Sequence, residues 1–428
     1  MIGIVGGGIA GFALGLALQK KGVHSVVFEK DSSFSSRHQG YGLTMQQAGR
    51  ALRELDLQHA VADIALCSKS HYIFDSHGNV VLYWGIEDQI QLDQSKWKSG
   101  RNCHISRQEL RRILYEALDP CFCTVLWSKQ LESFEQKKDE DLVCLRFQDD
   151  CKEYLFAGVA GCDGIHSLLR QTLVAGELNY LGVLVVLGIS DNRDLPFLQD
   201  HVIQMSDGKT RIFSMPYDEG RCMWQLSFYM DLESASRVSK LGAEALKTES
   251  ISRSKHFAWP IPQLLKMTEP SLITGYPVFD RELMPRPLES GCRLTLLGDA
   301  AHPMSPFKGQ GANQALLDAV NLAKEIEKSG EIPMAFRKFE KEMISRTSSK
   351  VLGSRASVDE LHCPEFIDAE FQLTRKGFDS EKIFRHLCRL KTMDIGSKDW
   401  KILDQIVLNG VNLSQEDFLN KLQDLRPE

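Results

Sequence analysis

The chain opens with short apolar runs whose spacing shifts from continuous to helical. Ile2-Gly-Ile-Val5 reads as a buried strand, and Leu14, Ala17 and Leu18 recur at helical spacing between Ala10 and Lys21. Gly22 suits the position just past a helix end, and Ser25-Val-Val-Phe28 follows as a second strand. Two strands joined by a helix predict a parallel βαβ unit, the first module of a doubly wound sheet. Another helix is predicted over 107–118, with Leu110, Ile113 and Leu114 on its inner face. Ser106 and Glu109 stand at S-x-x-E spacing where it starts, the pattern of a capping box.

Near Tyr180 the pattern changes. Residues 201–206, 210–215 and 221–228 read as short strands separated by Asp-Gly and Asp-Glu-Gly turns, which predicts an antiparallel sheet. Helix-and-strand alternation returns with a strand over 293–297 and a helix over 311–325, and the chain from Pro333 onward reads as mostly helical. The fold class expected is α/β: a discontinuous Rossmann-like domain with an inserted antiparallel-sheet domain and a helical C-terminal segment. The Rossmann-like domain would comprise 1–70, 101–175 and 285–350, and the inserted domain 71–100 and 176–284. The C-terminal segment would be 351–428, with helical apolar spacing over 384–425.

Composition narrows the function classes. A chain of 428 residues is long enough for two domains, and 43% hydrophobic with 25% charged residues is a globular balance. A net charge of −6 without a run of five or six like charges argues against nucleic acid as a partner. No apolar stretch reaches the roughly 20 residues of a transmembrane segment. The apolar run from Ile2 to Leu18 has no basic flank and carries glycines at turn spacing, so a targeting signal is not expected. The expected protein is soluble and cytoplasmic, a monomer or homodimer. Eleven cysteines show no paired framework and no zinc or redox spacing, so reduced thiols and no metal site are expected.

Three segments carry candidate chemistry. In Gly6-Gly-Gly8-Ile9-Ala10-Gly11 the first glycine permits a tight turn, the second admits a pyrophosphate, and the third lets helix and strand pack closely. Phosphates would sit on the helix's unpaired N–H groups. Glu29, ending the second strand, is placed to accept hydrogen bonds from a ribose diol. Cys162-Asp-Gly164-Ile-His-Ser167-Leu-Leu-Arg170 follows an apolar strand expected over 155–160. Gly298-Asp-Ala-Ala-His-Pro303 ends a strand, and Pro306-Phe-Lys-Gly309-Gln-Gly311-Ala-Asn313 opens directly into a helix. Two glycines there let backbone press on a flat ligand, and the helix N-terminus would stabilise an anionic reduced flavin.

These segments, in this order, resemble the class A flavoprotein monooxygenases, which include aromatic hydroxylases and tetracycline-inactivating monooxygenases. The resemblance spans about residues 1 to 350. It implies FAD as cofactor, held by Gly6, Gly8, Ile9, Ala10 and Gly11, with Glu29 on the adenosine ribose and Lys30 beside it. It further implies that Arg107 reaches the FAD, that Asp163 serves the pyrophosphate region, and that Asp299 holds the ribityl–phosphate segment. Pro306, Gly309 and Gln310 would border the isoalloxazine ring, with Gly311, Ala312 and Asn313 behind them, and Arg37 would lie in a mobile-flavin loop. NADPH or NADH would act as transient co-substrate on the same domain, since only one G-x-G-x-x-G occurs. O2 would add to the reduced flavin as a C4a-hydroperoxide that passes one oxygen atom to a small organic substrate, aromatic or polyketide-like.

By the same resemblance the antiparallel sheet floors the substrate pocket, with Gln204, Arg211, Trp224 and Gln225 as lining candidates. Strand alternation puts Trp224 and Gln225 on opposite faces, so at most one of them lines it. His302 is assigned no catalytic role. Phe257-Ala-Trp259-Pro-Ile-Pro262 approaches the W-x-W-x-I-P pattern of flavin halogenases but has no supporting second motif. Two alternatives stay open: a reductase or dehydrogenase of the same fold that does not activate oxygen, and a catalytically silent FAD-binding protein.

Overall fold

Ile2–Val5 is the middle strand of a five-stranded parallel sheet, in the order Leu294–Leu296, Gly158–Gly161, Ile2–Val5, Ser25–Phe28, Cys123–Leu126. Ile4 pairs with Val27 on one side and with Ala160 on the other. The computed structural model describes residues 1–36, 41–45, 48–68, 70–85, 103–148, 150–174, 176–195 and 197–368. The chain divides into two units, and this sheet belongs to the first: Met1–Ala65, Ile105–Leu181 and Val278–Val358.

The predicted βαβ opening is observed. The helix Ile9–Gln19 is buried on every side from Ile9 to Leu18, and so reads as uniformly apolar. It packs between the sheet and the helix Gly311–Ser329. The helix predicted from residue 107 runs Arg107–Glu116, and Ser106 Oγ accepts a hydrogen bond from the Glu109 N–H at 3.0 Å.

The strand expected over 155–160 is two strands. Asp150–Phe156 closes a three-stranded antiparallel ribbon with Leu142–Phe147 and Leu131–Lys137, while Gly158–Gly161 enters the parallel sheet. Apolar character continues across Ala157 because Phe156 and the whole of Gly158–Gly161 are buried, which hides the break from a reading of periodicity. Residues Ile332–Leu361 form one 30-residue helix, and Phe336, Phe339 and Met343 are buried along it. The residues after position 368, including the helical spacing over 384–425, lie outside the described residues.

The second unit comprises Leu66–His104, Gly182–Pro277 and the chain from Asp359. Its main sheet has seven strands, in the order Ile273–Arg281, Leu178–Asp191, Arg221–Tyr229, Thr210–Asp218, His201–Ser206, Ser70–Asp75, Val80–Gly85. The antiparallel pairings expected among 201–206, 210–215 and 221–228 are present. Ser70–Asp75 joins His201–Ser206 in parallel, which makes the sheet mixed.

Register fixes which side chains share a face. Gln204 is opposite Phe213, which is opposite Gln225, and Arg211 is opposite Ser206 and Ser227. Trp224 is on the reverse face. Its indole is fully buried against Gly188, and Nε1 donates to Thr268 Oγ1 at 2.9 Å, just beyond the helix Ile261–Met267. Trp224 therefore belongs to the core between sheet and helices and leaves the set of lining candidates. Trp224→Ala should cost about 3–5 kcal/mol in denaturant unfolding. Gln225→Ala, on the other face, should cost less than half of that.

Candidate active site

The glycine loop is shaped by contacts that exclude a side chain. A Cβ on Gly11 would lie 1.9 Å from the Gly6 carbonyl oxygen, and Gly6 itself holds φ +105° with its N–H donated to Phe28 O at 2.7 Å. Gly8 differs: a Cβ there would meet nothing nearer than Arg107 Nη2 at 4.0 Å. The loop is tight at its ends and open at its middle, directly before a helix with no side-chain cap. That is the geometry a pyrophosphate needs.

Glu29 is buried beneath this loop. The Gly7 N–H donates to its Oε2 at 2.7 Å and the Asp31 N–H to its Oε1 at 3.0 Å, which fixes the carboxylate while leaving acceptor capacity on both oxygens. Lys30 is exposed beside it, and Arg37 lies outside the described residues. Arg107 starts its helix with its N–H donated to Tyr41 O at 2.9 Å. Arg111, one turn on, was not a candidate. It is buried, donates from Nε to Gly7 O at 2.8 Å, and stands over the rings of Phe12, Phe34 and Trp127. The signal for it was the i, i+4 spacing from Arg107 on a helix that otherwise turns apolar residues inward.

Asp163 follows the strand Gly158–Gly161. Its Oδ2 accepts from the Leu168 N–H at 3.0 Å, whereas Oδ1 is buried without a hydrogen-bond partner. Burial raises its carboxyl above the usual range, against hydrogen bonds that lower it. Asp299 sits in the short turn after Leu294–Leu296 and is exposed. Its carboxyl is nevertheless raised by desolvation, against the lowering charges of His302 and Arg107 and with Asp318 adding to the rise. An accessible yet desolvated carboxylate is one on the floor of a cleft.

The segment after it supplies the cleft's edge. Pro306–Lys308 is a 3-10 turn, Gly309 has φ +59° with open space at its Cβ position, and a Cβ on Gly311 would stand 3.5 Å from Asp299 Oδ1. Gln310 precedes the helix Gly311–Ser329 without capping it, and its buried Oε1 has no partner. Ala312 is half-buried in the first turn. Asn313 is buried and cross-links backbone: its Oδ1 accepts from the Ala48 N–H at 3.1 Å, and its Nδ2 donates to Thr44 O at 3.0 Å and Gly309 O at 2.9 Å.

His302 reaches a residue that sequence reading missed. Its Nε2 lies 2.7 Å from Asp318 Oδ2, which also accepts the Gly298 N–H at 2.9 Å, and Arg346 Nη2 donates to Asp318 Oδ1 at 2.7 Å. Burial pushes the Asp318 carboxyl up, but His302 and Arg346 outweigh it and the net shift is downward. Nothing in the sequence ties Asp318 or Arg346 to Gly298, because the three meet only through helix packing.

The residues of this unit fit FAD. They offer an open loop and uncapped helix for a pyrophosphate, a fixed carboxylate for a ribose, a desolvated carboxylate on a cleft floor, and unpartnered oxygens on Asp163 and Gln310. On the second unit's sheet, Arg211 Nε donates to Gln204 Oε1 at 2.8 Å, and Gln204 Nε2 lies 2.6 Å from His71 Nε2. Gln225 shares that face and has a buried, unpartnered Nε2.

The FAD binding domain family model matches residues 1–329, and the chain belongs to this family. Its relatives are FAD-dependent monooxygenases. Aurachin C monooxygenase/isomerase of Stigmatella aurantiaca is 28% identical over 354 residues, covering 82% of this chain and 87% of the relative. A 3-amino-4-hydroxybenzoate 2-monooxygenase of Streptomyces platensis is 29% identical over 377 residues, covering 85% and 89%. Among solved structures, Klebsiella pneumoniae HpxO complexed with FAD and uric acid shares the fold with a TM-score of 0.76, 22% identity and coverage of 91% and 96%. Tetracycline destructase Tet(55) does so at 0.65, with 19% identity and coverage of 88% and 93%.

A raised carboxyl pKa means that folding disfavours the ionised Asp299. Its native pKa lies above the unfolded value, so stability declines as pH rises from the unfolded toward the folded pKa. Asp299→Asn should therefore raise the melting temperature of the apoprotein at pH 7 and flatten its dependence on pH above 4. The same change should weaken FAD binding, as read by quenching of flavin fluorescence.

Proposed function

We propose that this chain uses NADPH or NADH, FAD and O2 to insert one oxygen atom into a small, oxygen-bearing organic substrate, aromatic or polyketide-like. The observation that carries the reading is the Asp299–Asn313 segment: a desolvated carboxylate followed by an open Gly309–Gly311 edge at an uncapped helix N-terminus. That arrangement suits the reactive ring of a flavin rather than its distant adenosine. Bound FAD would supply electron transfer from the nicotinamide to O2 and delivery of oxygen to the substrate.

The chain's own residues bind and orient. Glu29 takes the adenosine ribose and Lys30 flanks it. Gly8, Ile9 and Ala10 present N–H groups to the pyrophosphate, with Arg107 and Asp163 alongside. Asp299 takes the ribityl segment, and Pro306, Gly309 and Gln310 border the ring. No acid or base is assigned, because the residues at the ring edge offer backbone and amide groups rather than titratable ones. On the sheet, Arg211 with Gln204, His71 and Gln225 sets a cation within a row of two amides and an imidazole, which suits a phenolate, carboxylate or enolised carbonyl.

Aromatic and polyketide ligands should be screened for stimulated NADPH or NADH oxidation by the FAD-loaded protein, with 18O2 as oxidant. One 18O atom in the product is the expected result. Stimulated oxidation without label in any product would point to a reductase, and a flavin that neither nicotinamide reduces would point to a silent binding protein. With a substrate in hand, Arg211→Ala should raise KM roughly ten- to hundredfold, the loss of one hydrogen bond to a charged group. FAD affinity should stay unchanged.

A further inference from the structure

We propose that Cys67 and Cys103 form a reversible dithiol–disulfide pair, a covalent modification site within the second unit. Leu66 and Cys67 pair in antiparallel with His104 and Cys103, so the two cysteines stand directly opposite each other. Their sulfurs are 3.1 Å apart, and both cysteines are in the reduced thiol state. Directly opposed residues of antiparallel strands have Cα atoms about 4.5–5.5 Å apart, inside the range that a disulfide spans. Forming the bond needs an approach of about 1 Å between the sulfurs, within reach of side-chain rotation and small backbone adjustment.

Access is unequal in a useful way. Cys67 is half-exposed and Cys103 is buried, so an oxidant meets Cys67 first and Cys103 is the resolving thiol. With a glutathione disulfide, the Cys67 thiolate attacks one glutathione sulfur and releases one glutathione thiol. The Cys103 thiolate then attacks Sγ of Cys67 in the mixed disulfide and releases the second. Two protein thiols lose two electrons and two protons, and one glutathione disulfide becomes two glutathione thiols.

The pair's place in the chain gives the bond a consequence. Leu66 and His104 are the first and last residues of the unit's opening segment. A Cys67–Cys103 bond would close that excursion covalently and lock the register that holds Leu66 opposite His104. On the other face of the same strands the buried His104 imidazole lies 3.0 Å from Ser68 Oγ, and burial lowers its pKa to about 4. With the cysteines reduced, that face therefore carries no imidazolium charge near pH 7.

The full chain, folded, should be equilibrated with oxidised glutathione, alkylated and mapped by peptide mass spectrometry. The exposed Cys121 and Cys151 serve as internal controls for indiscriminate oxidation. The expected result is a linked peptide joining residues 67 and 103, lighter by two hydrogens than the reduced pair, and restored by dithiothreitol. Cys67→Ser should abolish the link and leave Cys103 free of glutathione. Full alkylation of both cysteines while Cys121 and Cys151 carry glutathione would overturn the proposal. So would a Cys67–glutathione adduct that Cys103 never resolves.

Discussion

The candidate active site hangs on one buried carboxylate. Asp318 accepts the Gly298 N–H at the end of a sheet strand, meets His302 three residues after Asp299, and holds Arg346 from the long helix Ile332–Leu361. It lies on the helix whose first turn forms the edge of the cleft. Strand end, turn, cleft edge and outer helix thus converge on two oxygens. A charge so deeply buried is tolerable only because both oxygens are paired, and removing Arg346 would strip Oδ1 of its guanidinium partner. The position of Asp299 is a product of that pairing as much as of its own motif.

Much of the first unit was legible because local rules and global fold agree there. The strands Ile2–Val5 and Ser25–Phe28, the capping of Arg107–Glu116 by Ser106, and the helix beginning at Gly311 all follow from patterns a few residues long. What escaped depends mostly on separation in sequence, with one strand boundary hidden by local composition instead. Arg111 reaches the Gly7 carbonyl across 104 positions, Arg346 meets Asp318 across 28, and the Asp150–Phe156 strand merges with its neighbour in an unbroken apolar run. Trp224 shows the converse limit. Alternation said that it and Gln225 face opposite ways, and only the Thr268 hydrogen bond said which way each faces.

The sheet of the second unit separates two tasks by parity. Trp224 on one face and Gln225 on the next belong to adjacent residues of one strand, yet one is sealed in an apolar core and the other joins a polar row. His71 enters that row from a strand running parallel to its neighbour, which a purely antiparallel expectation did not place there. Because parity is set by backbone register, a one-residue slip would exchange core for polar row along the whole strand. The apolar face therefore protects the chemistry of the polar one.

Asn313 carries a further consequence. A single amide spends its acceptor on Ala48 and its donors on Thr44 and Gly309, so three stretches of backbone share one side chain as a common rivet. The loop edge at Gly309 is consequently not free to drift on its own. A displacement near Thr44 is transmitted to Gly309 within one side chain's length, or else breaks a hydrogen bond. Insertions or substitutions that resculpt this neighbourhood must preserve the distance between those backbones. The flexibility that glycine supplies at position 309 is thereby confined to one edge of the rivet, where backbone can turn without carrying the helix behind it.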